Sequence, residues 1–376
     1  VRSPSDDDTR DENRNRQKVE PLEIRLSLHP ARPLPGAARR EEARGLLAEL
    51  LALPDEVRLH RLRDERFQDP DLFDLFLETG HAALPFEVRR AVEIMTLATS
   101  LGRRLQQSGE LREGEGVARA LCLMGTAHRL RGDQAIAEEA FERAARMVVS
   151  APERGFFCRA LGLLRWDQGR SEEAIALLQQ AGSRFAEAED SEEETVCQAL
   201  LGLLHVEEMR TALAAPCLQR AIQDLGSGER PWLAAQVRLG LAICFAVGRE
   251  REKAREARRQ ARELYGRVTD EMALLSLHWL EGRGAFLTGD LRDAEERLTT
   301  VRRKLIVQSC GPEATLVTID LVVLSRMLGR EDELRALRRR WRRSGTPPPP
   351  IACSRLWGSC SRRRRPGGWT PWPGNP

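Results

Sequence analysis

Apolar residues along this chain keep the spacing of helices, without the strict alternation of a strand. From Ala37 to Leu53 the residues Leu46, Leu47, Leu50, Leu51 and Leu53 keep a helical period, and Pro54-Asp55 ends that helix and begins a second, running to about Arg66. Phe67-Gln68-Asp69-Pro70 breaks the pattern, since proline lacks the N–H that a helix interior requires. Further helices are predicted near 71–80 and 85–107, and in the last of them Ala91, Met95 and Ala98 imitate positions that return later in the chain.

Beyond residue 115 the pattern becomes periodic over a longer distance. Gly125, Gly162, Gly202, Ala242, Gly282 and Val322 occupy one slot, at steps of 37, 40, 40, 40 and 40. Ala137, Ala174, Ala214, Ala254, Ala294 and Leu334 fill a second slot twelve residues on, and Ala144, Ala181, Ala221, Ala261, Val301 and Trp341 a third. Between the first two slots a turn recurs as Gly132-Asp133, Gly169-Arg170, Gly289-Asp290 and Gly329-Arg330, replaced by Met209-Arg210 in one unit and shifted to Gly248-Arg249 in another. Each unit reads as helix A, a tight turn, helix B and a polar connection such as Ser150-Ala-Pro-Glu153 or Gly226-Ser-Gly-Glu229. Self-similarity at a fixed period of this length predicts an all-α solenoid of stacked units. Small residues mark where backbones approach closely, and glycine supplies the positive φ that lets helix B fold back.

These slots resemble the signature of the tetratricopeptide repeat family: a small residue, a glycine-bearing turn, an alanine, a large apolar residue and a second alanine. Gly125, Gly132, Ala137, Phe141 and Ala144 match it in the first clear unit, and Gly162, Gly169, Ala174, Leu178 and Ala181 in the next. The resemblance implies an α-solenoid of stacked antiparallel helix pairs, a right-handed superhelix whose helix-A faces line a concave groove, and an interaction scaffold as its use. It supplies no ligand. The usual unit is 34 residues long, so a step near 40 places about six more in helix B or in the connection. Arg258 and Arg338 also stand where helix B should carry its large apolar residue.

The segments follow in order. Residues 1–36 are polar and proline-punctuated and are expected to be disordered,. Residues 37–107 form a helical N-terminal cap with a degenerate repeat, and 115–343 the six-unit array,. Residues 344–376 are a basic tail rich in Pro, Arg and Trp, whose abrupt composition fits a recognition tail or a stretch read out of frame,.

Sixty basic and 57 acidic side chains leave a formal charge of +3, so no overall field draws the chain to nucleic acid or membrane,. No apolar run approaches the roughly 20 residues that span a bilayer. The eight cysteines contain no C-x-x-C pair, and those within repeats are expected to act as small apolar fillers,. With unpaired thiols and no secretory signal, a cytoplasmic location is expected.

If the family geometry carries over, helix-A residues facing the groove follow from register. They include Arg119 and Arg129 in the first unit, Phe156, Arg159 and Trp166 in the second, and Gln236 in the fourth. The fifth contributes Trp279, Arg283 and Phe286, and the sixth Arg326. Trp, Phe and Arg are the types enriched in binding hot spots, and the arginines suit bidentate bonds to carboxylate. A protein or peptide with acidic and apolar side chains is the expected partner. The same spacing also suits packing of Trp166, Trp279 and Phe286 between helices.

Catalysis needs convergent groups, and the six histidines are scattered. His278-x-x-Glu281 has the spacing of a metal-ligating pair, but one such pair is common by chance,. G-x-S-x-G, Walker-type and H-E-x-x-H motifs are absent,. The expected function is therefore a non-enzymatic scaffold or adaptor without metal or cofactor. The alternatives are a regulatory or sensor module of a bacterial signalling or transcriptional system and an RNA-binding helical repeat. The basic run Arg335–Arg343 suits phosphate contact or a solvated helix end, while Glu207 and the apolar groove positions count against RNA,.

Overall fold

A computed structural model of the chain describes residues 37–330, apart from 85–86, 112–115, 149, 226–229, 270 and 309–310. The segment 1–36, helix B of the sixth unit and the tail 344–376 lie outside the described residues. The chain divides into two compact units, Val1–Leu111 and Arg112–Pro376.

The first unit holds α1 (Ala37–Ala52), α2 (Asp55–Arg61), a 3-10 turn (Glu65–Phe67), α3 (Pro70–Ala83) and α4 (Val88–Ser108). Helix α2 stops at Arg61 rather than near Arg66. It buries no residue of its own, and the chain tightens after it so that Leu62 and Phe67 turn fully into the core. Asp69 then caps α3 by accepting from the Asp71 and Leu72 N–H groups, with Pro70 opening the helix,. Helices α3 and α4 pack as a pair, and Ala91, Met95 and Ala98 are all fully buried.

The second unit is a run of helix pairs. They are α5 (Val117–Arg131) with α6 (Gln134–Ala145), α7 (Ala151–Asp167) with α8 (Ser171–Glu187), and α9 (Ser191–Glu207) with α10 (Thr211–Asp224). Then follow α11 (Pro231–Val247) with α12 (Arg251–Arg262), α13 (Glu271–Thr288) with α14 (Leu291–Val307), and α15 (Gly311–Met327). Within this unit every described helix packs on its sequence neighbour, which is an all-α solenoid of stacked helix pairs,. No described helix is long and apolar enough to cross a membrane.

The slots explain the packing. The alanines of the second slot, Ala137, Ala174, Ala214, Ala254 and Ala294, are fully buried, as are Ala144, Ala181, Ala221 and Ala261 of the third. A Cβ at Gly202 would lie 2.6 Å from Leu218, and at Gly125 2.9 Å from Phe141, so the small residue of helix A makes room for the large one of helix B,. The extra length over a 34-residue unit is shared: α8 and α14 run 17 residues, whereas α12 runs 12 and is followed by a 3-10 turn (Tyr265–Arg267),.

All six turns close the same way. The residue opening helix B donates its N–H to a carbonyl five residues back, as in Asp133 to His128, Arg210 to His205 and Glu250 to Phe245, and the residue before it takes the left-handed conformation. Glycine fills that place at 132, 169, 289 and 329, but Met209 (φ 56°) and Arg249 (φ 66°) fill it in the other two turns. Gly248, which the sequence offered as the turn glycine, has φ −70°. A left-handed non-glycine costs roughly 1–2 kcal/mol, partly offset by the lower entropy of the unfolded chain. Met209→Gly and Arg249→Gly are each expected to stabilise the array by about 0.5–1 kcal/mol, read as a shifted urea midpoint at constant slope.

One seam differs from the others. Arg258 occupies the helix-B position held elsewhere by Phe141, Leu178, Leu218 and Leu298, and it too is buried. Its guanidinium donates to Thr288, Asp290 and Asp293. Nearby, the fully buried Glu281 accepts from Arg262, Arg297 and the Tyr265 hydroxyl. The fourth and fifth pairs therefore meet partly through charges.

Candidate interaction surface

At three steps of the array, α5 to α7, α7 to α9 and α13 to α15, side chains reach from one first helix to the next. Arg129 on α5 donates to Asp167 on α7 at 2.7 Å. Arg159 on α7 donates to Glu193 on α9, and Trp166 on α7 donates its indole N–H to Glu207 on α9 at 2.7 Å. On α13, Arg283 donates to Asp320 on α15 at 2.8 Å, and the Trp279 indole N–H donates to the same carboxylate. The Arg283 guanidinium also lies 4.6 Å from the centre of the Trp279 ring, a stacked cation geometry. These partners are separated by 34 to 41 residues, about one unit. A side chain on one helix A thus meets the next helix A at nearly equivalent height.

Two clusters emerge. In the first, Arg119 and Arg159 both lie over the Phe156 ring, at 5.0 and 5.3 Å from its centre. Arg119 has no carboxylate partner among the described residues, and burial lowers its guanidinium pKa despite the opposing charge of Glu193. In the second, Trp279 and Arg283 converge on Asp320, which is only 1% exposed. Gln236 is half-buried on α11, and Arg326 is exposed near the end of α15. Phe286 is buried in the apolar cluster of α13, α14 and α15 with Leu298, Val317 and Leu321. Its surroundings are those of a core residue.

The candidate arginines are thus mostly engaged within the chain, and sequence reasoning missed the acids that engage them. Asp167, Glu193 and Asp320 are the missed residues, whereas Glu207, a groove position already visible in the sequence, accepts from Trp166. Their signal was present as a carboxylate one unit downstream of each Arg or Trp on the same helix face. Pairing with a half-buried guanidinium makes each acid part of the scaffold, since removing one partner leaves the other charge desolvated and alone.

The remaining polar groups have structural roles. His128 meets Asp133 at 3.3 Å across the turn that begins α6, and burial lowers the pKa of His205 in the next unit but one. His278 lies edge-on to Tyr265 and 3.9 Å from Glu281. No group of three or more His, Cys, Asp or Glu able to hold a metal occurs among the described residues. Cys122, Cys197 and Cys244 are buried free thiols, and burial pushes Cys197 and Cys244 up to about 12. At neutral pH they remain protonated fillers.

No family model matches the sequence. None of the curated proteins matches it either. Among solved structures, the chain is similar to a Rap protein complexed with competence and sporulation factor. That match has 12% sequence identity and a TM-score of 0.59, and covers 77% of this chain and 78% of that one. It is also similar to BtubC (BKLC) from P. vanneervenii, at 15% identity and a TM-score of 0.46 over 59% of this chain and 92% of that one. A third is a putative kinesin light chain of nearly identical TPR-like repeats from Podosopora anserina. There the identity is 19% and the TM-score 0.39, over 56% and 96% of the two chains.

Proposed function

From a solenoid of the tetratricopeptide type, which is the fold this chain has, we propose that the first helices of its pairs form a groove holding a segment of a partner protein. The observation that carries this reading is the recurrence of Arg and Trp on the first helices α5, α7 and α13, each half-buried and tied to the following first helix. Aromatic and guanidinium groups fixed in this way give contact area without a large ordering cost on binding. The Rap protein, similar in fold, was solved as a complex with competence and sporulation factor, which supports binding as the use of such an array. The partner is expected to present apolar side chains to Phe156, Trp166 and Trp279. Its acidic contact falls to Arg119, because Arg129, Arg159 and Arg283 already hold Asp167, Glu193 and Asp320.

The test is selection of peptides from a display library on the full chain, followed by anisotropy titrations of the selected peptides. Arg119→Ala is expected to weaken them about tenfold, or about 1.4 kcal/mol, with an unchanged melting temperature. Selection of nothing, or equal affinity in Arg119→Ala and Trp166→Ala, would reject the groove.

A further inference from the structure

The ladder of cross-unit pairs has one exception. Asp167, Glu193 and Asp320 each accept from a guanidinium, but Glu207 accepts only the Trp166 indole N–H. Its side chain is exposed to solvent, beside the half-buried Trp166. Burial pushes it above the ordinary carboxylate range, with the Trp166 N–H and the Arg283 charge pulling the other way and the carboxylates of Asp167 and Glu208 adding to the rise. A carboxylate held by one neutral donor is an incomplete arrangement, because each oxygen has lone pairs for more donors and the charge lacks its counterpart within the chain,.

The surroundings complete the picture. Trp166 is half-buried, packing against the apolar cluster of α9, α10 and α11 that contains Leu203 and Ile243. The backbones of α7 and α9 approach less closely than those of α9 and α11 or α11 and α13, so the space between them is spanned by side chains. Of the neighbouring charges, Asp167 is paired with Arg129, and Glu208 accepts from the Ser171 hydroxyl at 2.6 Å. Arg283 is committed to Asp320. An aromatic face beside an uncompensated carboxylate is the arrangement that recognises a cationic side chain, through ring quadrupole and charge together.

We propose that Trp166 and Glu207 form a subsite for a lysine or arginine side chain of the bound segment, the cation taking the place beside the carboxylate that a guanidinium of the chain itself takes at Asp167, Glu193 and Asp320. This rests on the groove reading above and reverses the charge expected there. A segment engaging both Arg119 and Glu207 carries an acid and a base, which fixes its direction along the first helices.

Two measurements test it. N-acetyl-arginine amide and its neutral counterpart N-acetyl-glutamine amide are titrated into the full chain while the Trp166 indole N–H resonance is followed, assigned by its loss in Trp166→Phe. Saturable movement with the arginine derivative alone, abolished in Glu207→Gln, is expected. Movement of equal size with both amides, or in Glu207→Gln, or none with either, would overturn the subsite. Glu207→Gln keeps the acceptor for the indole and is expected to leave the melting temperature unchanged. In the second measurement, selected peptides with their basic residue replaced by norleucine should bind the parent at least tenfold more weakly and Glu207→Gln less than twofold more weakly. Equal losses in both backgrounds, or a selected set without a basic residue, also reject the subsite while leaving the groove. If no peptide is selected, the groove falls, and the amide titration still decides whether the cation site exists.

Discussion

Glu281→Ala is expected to cost the array about 3–5 kcal/mol, since it strips the shared acceptor from Arg262, Arg297 and Tyr265 in a fully buried position,. Chemical unfolding followed by far-UV circular dichroism would measure it, and a loss under 1 kcal/mol would mean that water replaces the carboxylate at this seam. The same network predicts a pH dependence. Burial by itself would raise the Glu281 carboxyl, but His278, Arg297 and Arg262 outweigh it and hold it below its ordinary value. Asp290 is likewise held low, where Arg255, Thr288 and Arg258 outweigh burial. Both groups have depressed folded values, so the stability they confer is complete above the ordinary carboxylate range near about pH 4. It is lost as the pH falls through the lower folded values. Melting temperature should fall over that acid range, and Glu281→Gln should flatten the Glu281 share of the fall.

Phe141→Ala should be comparably damaging, at about 3–5 kcal/mol. The ring is 1% exposed, fills the space left by Gly125 and meets Phe157 edge-on at 6.4 Å between ring centres. Alanine would leave a void between α5 and α6 that neither rigid helix can close. Hydrogen exchange should show the damage strongest in α5 to α8, because each unit leans mainly on its neighbours. Uniform loss across α5 to α15 would instead mean that the array unfolds as one cooperative block.

Packing was legible in the sequence, and pairing was not. The buried alanines of the second and third slots and the Gly125–Phe141 fit follow from side-chain size at a fixed interval, a local property. Turn closure was only partly legible, because the left-handed place belongs to the backbone. Met209 and Arg249 adopt it under the constraint of the helices on either side. Arg159 and Arg283 were visible as candidates, yet their engagement with Glu193 and Asp320 depends on the rotation of neighbouring units, which no single unit encodes. Phe286 looked like Trp279 by register, but it is buried within the cluster of α13, α14 and α15, against which Trp279 packs only half-buried. Arg258 was visible as a departure from the pattern, and its reason lay in Asp290 and Asp293 on the following pair.

That last arrangement restricts how the array can be rebuilt. At the other described junctions the same helix-B position is apolar, so that contact could be exchanged between units with modest penalty once the Arg–acid pairs of the first helices are matched. The junction after α12 demands a matching counterpart. A unit following it must bring acids at the positions of Asp290 and Asp293, and a unit preceding α13 must bring an arginine where others carry Leu or Phe. Charge complementarity at this seam therefore makes the fourth and fifth units fit each other better than either would fit a neighbour carrying Leu or Phe in place of Arg258,.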